Sequence, residues 1–398
     1  MNPVYVVAAV RTPIGRFRGA LAGVRADHLG AHALNKLVAR AGVGAEHIDD
    51  VIFGCVTQIG EQSANIARTS LLGAGWPESI PAMTVDRKCG SSEAAIHIGA
   101  AQIAAGVSDL VVAGGAEAMS RVPMGSNRAI HGEAFGWMVS DRYETTSQGE
   151  AAERIADKYG FDRDVLDDFA AESHRRAAAA TDAGRFVAET VAVPVAELCE
   201  KDWEGPRDPL EADQTIRRDT SREKLSTLKT SFREQGRITA GNASQISDGA
   251  AVVLLASEAA VKRFNLTPLA RIRSVAVVGA DPTLMLEGPI AASRKAAALA
   301  GLAFDDIALF EVNEAFASVP MMWMQATGVD ADRLNVNGGA IALGHPLGAT
   351  GARIATSLIH ELRRTGQRYG LQAICCAGGL ATATVYENLD ASAAPAVV

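Results

Sequence analysis

Cys89 stands between a strand-like run, Met83–Lys88, and an alanine-rich helical stretch opening near Ser91, with Gly90 directly behind it. A thiol there faces the unpaired N–H groups of a helix start, which favour the thiolate. Gly90 leaves no side chain in the path of a substrate carbonyl. A Cys-Gly-Ser tripeptide alone is equally the mark of a small core cysteine. The stretch Asn337–Gly351 says more, because five glycines fall within fifteen residues and frame His345 and Pro346 just before a helix over Ala352–Arg363. Pro346 reads as the first helical position, so His345 is fixed at a turn, where an imidazole can serve as base and acid. Asn313 ends a strand over Ile307–Val312, the place where ligand groups gather in open α/β sheets, though it can equally cap the next helix. Cys376 ends another strand before Ala377-Gly378-Gly379, and strand alternation sends its neighbour Cys375 to the opposite face. Thr239–Ser244 reads either as a polar ligand arm or as a capping turn before a helix-like stretch. Together these residues offer a nucleophile, a base and a second thiol for proton transfer.

Elements that can carry such groups follow from the composition. A chain of 398 residues allows two or three units of about 150 each. With 48% apolar and 21% charged residues it can bury a core, which excludes a disordered chain. Acidic side chains outnumber basic ones 46 to 38, for a net charge of −8, and no basic block compensates, so nucleic acid is not an expected partner. Five scattered cysteines make no disulfide framework and fit a reducing, cytoplasmic compartment. No run is long enough to span a membrane, the N-terminus lacks a signal-sequence pattern, and no metal-type spacing or nucleotide loop occurs.

Residues 1–120 alternate strand and helix patterns: a buried strand Val4–Val10, a helix Asp27–Ala41 capped by Asp27 and stopped by Gly42, a strand Asp50–Val56, a helix Ser63–Leu72 and a strand Leu110–Ala113. From 121 to 248 charges are dense and short helices dominate, which reads as an insert. Residues 249–267 read as a connection back to the first half, and the α/β pattern resumes over 268–398. There the chain repeats itself. Asp49–Phe53 resembles Asp305–Leu309, and the same spacing carries Cys89 onto His345. Val111–Gly115 is echoed by Ile374–Gly379. A duplicated fold with both groups at matching turns is the favoured reading over chance likeness.

Cys89-Gly90-Ser91, Asn313-Glu314-Ala315-Phe316, Gly344-His345-Pro346 and Cys376-x-Gly-Gly occur in the order and approximate positions of the thiolase family. Val10–Gly15, Gly114–Ser120 and Thr239–Ser244 support the resemblance, which covers essentially the whole chain. It implies an α/β class of thiolase fold, a duplicated α-β-α-β-α sandwich with an inserted helical loop domain over the active site. It also implies reversible acyl transfer between coenzyme A and an enzyme cysteine, with CoA as co-substrate, no permanently bound cofactor and no metal. Family roles would make Cys89 the acyl carrier, His345 its activator and Cys376 the second acid/base. Asn313 would hold a water that, with His345, stabilises the thioester oxyanion, and the amides of Cys89 and Gly378 would form a second oxyanion hole. CoA and acyl contacts would fall on Arg217, Ser244, Phe316, Ser147 and Gln148. A homo-oligomer, dimer or tetramer, is expected by the same resemblance.

Three departures bear on substrate. Leu380 replaces a usual glycine and would narrow the space behind Cys376. Ser147-Gln148 stands where short-chain biosynthetic members often carry His-Met. Glu287 precedes Gly288-Pro289 in a segment that often borders the acyl pocket. These favour degradative thiolysis of 3-oxoacyl-CoA over the alternative of an acetoacetyl-CoA-forming biosynthetic enzyme. A related ketosynthase would place His or Asn at Cys376, and a silent acyl-CoA binder would have no use for three intact reactive groups.

Overall fold

The computed structural model describes residues 2–128 and 130–391. Apolar runs become ten strands: β1 (Val4–Arg11), β2 (Gly15–Arg16), β3 (Asp50–Gly54), β4 (Ala82–Val85), β5 (Leu110–Ala118), β6 (Ser247–Ser257), β7 (Ala270–Gly279), β8 (Leu309–Val312), β9 (Tyr369–Cys376) and β10 (Leu380–Glu387). Nine lie side by side in the order β4-β3-β5-β6-β1-β7-β10-β9-β8, with β2 paired to β6. The order reads outward from β1 and β7 as two matching halves. β3 runs parallel to β5, and β5 antiparallel to β6; likewise β8 is parallel to β9, and β9 antiparallel to β10. The halves meet where β1 pairs antiparallel with β7. Such matched pairing is what a duplicated unit produces.

Helices fill three layers. Ala95 and Ile96 of the helix Ser91–Ala104 pack with Ala352, Ala355 and Leu358 of the helix Thr350–Thr365, against strand residues of both halves, including Ile52, Val111, Ala270 and Tyr386. These two helices form the central layer. Ala26–Ala41 and Ile66–Gly73 cover the outer face of the first half, and Gly288–Ala300 and Ser318–Thr327 cover that of the second. Each layer buries one apolar stripe or sheet face, the general solution for a fold of this class. The central pair begins, respectively, just after Cys89 and just after His345, so the duplication itself brings those turns to one end of the molecule.

Several sequence expectations are corrected. Residues 249–257 are no connection: Val252, Val253, Leu254 and Leu255 are fully buried in β6, a central strand. A run apolar on both faces has nowhere else to go, since each such side chain contributes about 1.5–3 kcal/mol on burial. For the same reason no helix follows Thr239–Ser244. Asp27 is not an N-cap; Arg25 occupies that place and pairs with the Asp27 carboxylate at 2.9 Å. The helix expected from Ser63 starts at Ile66, capped by the Asn65 side chain. Pro346 lies in the turn before its helix, which begins at Thr350. The Gly-Gly echo is not structural: Gly114 and Gly115 lie within β5, whereas Gly378 and Gly379 form the turn after β9.

The region between β5 and β6 carries short helices and is tied to the sheet by buried charge. Arg11, fully buried on β1, donates to Glu189 at 2.5 Å and to both oxygens of Asp213 at 2.7 and 2.9 Å. Asp213 also accepts from the Ile14 amide. Burying a guanidinium is tolerated only with this degree of pairing.

Candidate active site

The turn that presents Cys89 is clamped on both sides. Lys88 is held at φ +50°, a left-handed conformation rare for a side-chain-bearing residue. Its amide donates to the Asp86 carboxylate, while Ser91 Oγ accepts from Arg87 N and donates to Lys88 O. Strain of this kind persists only where surrounding bonds fix it. Gly90 follows, and a Cβ there would lie 2.7 Å from Cys376 Sγ and 2.9 Å from Thr382 Oγ1. Any other residue would push away the second thiol. Cys89 and Cys376 are thus neighbours across Gly90, buried with Met119, Leu347, Ile354 and Ile374. Cys375 turns into the other face of the sheet, as alternation requires.

Burial decides the resting charge of both thiols. It pushes Cys89 up to about 11, although the Gln148 amide, its own N–H and the Ala377 N–H all favour the thiolate. Gln148 Nε2 lies 3.9 Å from the sulfur. The helix-start effect read from the sequence is present but loses to desolvation. Cys376 is held well above an ordinary thiol by burial and by the nearby Cys89 sulfur, with the Gly90 amide opposing.

His345 is buried in the matching turn. Its amide donates to Ser247 Oγ at 2.8 Å and to Gln245 O at 3.1 Å, so β6 and the segment before it fix the loop. Nδ1 meets Thr350 Oγ1 at 2.6 Å and Nε2 meets Asn313 Nδ2 at 3.4 Å. Burial, then the Arg353 charge, pushes the imidazole down to about 3, which leaves it neutral at pH 7. Asn313 Oδ1 is buried without a hydrogen-bond partner among the described residues, an acceptor open to a small donor.

One group escaped sequence reasoning. Glu117, fully buried at the end of β5, accepts from the amides of Val56, Thr57 and Gly348 and from Gln62 Nε2, at 2.8–3.1 Å. It stitches the turn after β3 to the His345 loop. That loop passes so close that a Cβ on Gly348 would lie 2.5 Å from Gly54 O and 2.7 Å from Glu117. A lone acid inside the apolar run Leu110–Met119 was the available signal, since such a side chain needs dedicated partners.

The remaining expected contacts separate. Ser147 caps the helix Gln148–Tyr159 by accepting from Glu150 N, so its hydroxyl serves the helix that aims Gln148. Phe316 packs edge-on against Phe232 at 5.9 Å and bridges to Ala243, next to Ser244. Ser244 donates its amide to Ala315 O, while Thr239 Oγ1 and Asn242 Oδ1 accept inside their own loop and Asn242 Nδ2 donates to Asp167. Arg217 is exposed, its backbone held by His174. Leu380 pairs across the strands with Cys376 and packs on the cysteine cluster, as its size implies. Glu287 points to Lys158 at 2.7 Å, so its charge is neutralised there. Gly378 sits exposed in the turn at φ +86°. Among the described residues no group of three or more His, Cys, Asp or Glu side chains is arranged to hold a metal, and no helix is long and apolar enough to cross a membrane.

Two thiols and an imidazole at the facing turns of a duplicated α/β fold define an acyl-transfer class, in which sulfur carries an acyl group and a second thiol moves a proton. Sequence models of the thiolase N-terminal and C-terminal domains match residues 4–259 and 266–388, and the chain belongs to the thiolase family. Steroid 3-ketoacyl-CoA thiolase FadA6 of Mycobacterium tuberculosis is 46% identical, over 98% of this chain and 95% of its own. A 3-ketoacyl-CoA thiolase of Bacillus subtilis is 42% identical, over 97% of this chain and 100% of its own. Among solved structures, the acetyl-CoA acetyltransferase of Bacillus anthracis superposes with a TM-score of 0.89 at 39% identity, covering 98% and 99% of the two chains. Human mitochondrial 3-ketoacyl-CoA thiolase gives 0.88 at 36% identity, covering 97% and 99%.

Proposed function

We propose that this thiolase cleaves 3-oxoacyl-CoA with CoA, in the degradative direction, giving acetyl-CoA and an acyl-CoA shortened by two carbons. The observation that carries the reading is the second thiol against Gly90, because acyl transfer alone needs only one cysteine. Cys89 passes its proton to His345 as its sulfur bonds to C3 of the substrate. The C2–C3 bond then breaks, and Cys376 protonates C2 of the departing enolate. His345 then returns its proton to the Cys376 thiolate. CoA attacks the acyl-enzyme, its thiol proton going to the neutral His345, and the shortened acyl-CoA leaves as His345 passes that proton to Cys89. Burial makes the Cys376 thiol less acidic, which suits its protonation of C2, since proton transfer works best when donor and carbon acid are matched. Asn313 Oδ1 accepts one hydrogen of a water whose other hydrogen meets the thioester oxyanion, and the amides of Cys89 and Gly378 serve the second oxyanion. Losing one such donor costs about 3 kcal/mol.

CoA acts as a co-substrate, with Arg217 toward its adenine end and Ser244 against the pantetheine, and no cofactor stays bound. All five cysteines are free, which supports a reducing, cytoplasmic setting. Exposed Met124, Trp137 and Met138 support a homo-oligomer. Gln148, in place of a differently shaped group, borders Cys89 with a flexible polar tip that can swing aside, which supports 3-oxoacyl chains longer or bulkier than acetoacetyl. Thiolysis of acetoacetyl-CoA, a medium-chain and a ring-bearing 3-oxoacyl-CoA tests the reading. The two larger substrates are expected to give the higher kcat/KM, graded by about 1–3 kcal/mol per methylene. Preference for acetoacetyl-CoA would favour the biosynthetic alternative, and no thiolysis of any of them a silent binder.

A further inference from the structure

We propose that Thr350 is a positioning residue that sets the tautomer of His345, and through it the orientation of the Asn313 amide. The inference rests on the proposed use of His345 as the proton acceptor, and it assigns which nitrogen accepts. Thr350 Oγ1 lies 2.9 Å from Pro346 O, and a carbonyl oxygen has no hydrogen to give. The single hydroxyl hydrogen of Thr350 therefore belongs to that contact. At its other neighbour, His345 Nδ1 at 2.6 Å, the hydroxyl can only accept. Nδ1 must carry the hydrogen, and in a neutral imidazole Nε2 then holds the free lone pair.

The opposite side of the ring agrees. Asn313 presents Nδ2, a donor, to Nε2 at 3.4 Å. The other tautomer would put an N–H against that N–H and reward a flip of the amide. A flip would turn Oδ1 toward the ring and remove the one open acceptor of the site. Three side chains thus form a single directional chain, Asn313 Nδ2–H to Nε2 and Nδ1–H to Thr350 Oγ1, ending on the Pro346 carbonyl. It has one consistent set of hydrogens. Thr350 is fully buried, so water does not compete for its hydroxyl. When Cys89 bonds to an acyl carbon, its proton moves to Nε2 and displaces the Asn313 Nδ2–H contact there, while the imidazolium keeps its Nδ1–H on Thr350.

The decisive measurement is the imidazole nitrogen spectrum of protein labelled with 15N-histidine, with the His345 signals identified by their loss in His345→Asn. The expected result is a protonated Nδ1 and an unprotonated Nε2 at pH 7; the reverse overturns the proposal. In parallel, Thr350→Val should lower the thiolysis kcat about 10–100-fold with KM for CoA near its original value, and Thr350→Ser should restore kcat to within about threefold. A Thr350→Val enzyme of unchanged kcat, or a Thr350→Ser enzyme no better than the valine variant, also overturns it. If the valine variant does not fold, the wild-type spectrum and the serine variant still decide. Should His345→Ala keep full acylation of Cys89, the role of His345 as base fails, while the spectrum still reports its tautomer independently.

Discussion

Cys89 and Cys376 have the same functional group and opposite assignments, and their surroundings explain the division. Cys89 receives three polar contacts that favour its anion, from Gln148, its own amide and Ala377, while Cys376 is raised by burial and by two neighbouring sulfurs. The first is the better nucleophile and the second the weaker acid. Cys89→Ala should therefore abolish covalent labelling by radioactive acyl-CoA. Cys376→Ser should still be labelled at Cys89 but lose thiolysis by about 10²–10⁴-fold, the usual contribution of a positioned acid or base. Equal loss of both half-reactions in Cys376→Ser would reduce Cys376 to packing. The types of these residues were legible in sequence because Gly, Pro and strand alternation advertise where they stand. Their acidity was not, because the helix start that favours a thiolate at Cys89 is a local feature. The desolvation that outweighs it comes from Leu347, Met119 and Ile354, remote in sequence.

Elements tell a similar story of local legibility and remote surprise. Both halves and their matching turns follow patterns within a dozen residues, so periodicity found them. What periodicity missed was set by partners elsewhere in the chain. β6 is helix-compatible by its alanines and leucines, and only its place between β5 and β1 makes it a strand. Asp27 was the better cap by residue type, yet Arg25 draws it into an ion pair. Glu117 gained its role from Gly348, which lies across the two halves. Arg11 is the comparable joint for the inserted region. Glu189 and Asp213 both reach it, and Ser357 Oγ shares Glu189 at 2.8 Å. Arg11→Met keeps the volume roughly but leaves the Asp213 and Glu189 carboxylates buried without the guanidinium that hydrogen-bonds both, so stability in urea should fall by about 3–5 kcal/mol. A loss under about 1 kcal/mol would mean that the carboxylates escape to solvent and that the insert is not anchored there.

For the whole molecule, two sets of buried groups pull stability in opposite directions with pH. Burial raises Glu311 to about 8 and Asp248 to about 6, and also raises Glu117 and Glu314. Between the ordinary carboxyl range near 4 and these values the folded protein binds more protons than the unfolded chain, so stability rises as pH falls. Burial lowers His174 to about 4 and His345 to about 3, and lowers His32 and His360 as well. Below 6.5, where an unfolded histidine takes its proton, the unfolded chain binds more, so stability falls with further acidification. The carboxyls act alone from about pH 8 down to 6.5, the two sets oppose each other from there to about 4.5, and below that the histidines are joined by Glu150 and Glu172, which their arginine partners hold down to about 2. The melting temperature should accordingly rise from pH 8.5 to 6.5, change little to about 5, and drop steeply below 4.5. Glu311→Gln isolates the alkaline limb. Glu311 is neutral below about pH 8, so the variant removes no counter-charge from Arg353 there, and the difference between pH 6.5 and 8.5 should shrink. A wild-type melting temperature that does not fall between pH 6.5 and 8.5 would show that Glu311 holds no proton in the folded protein over that range.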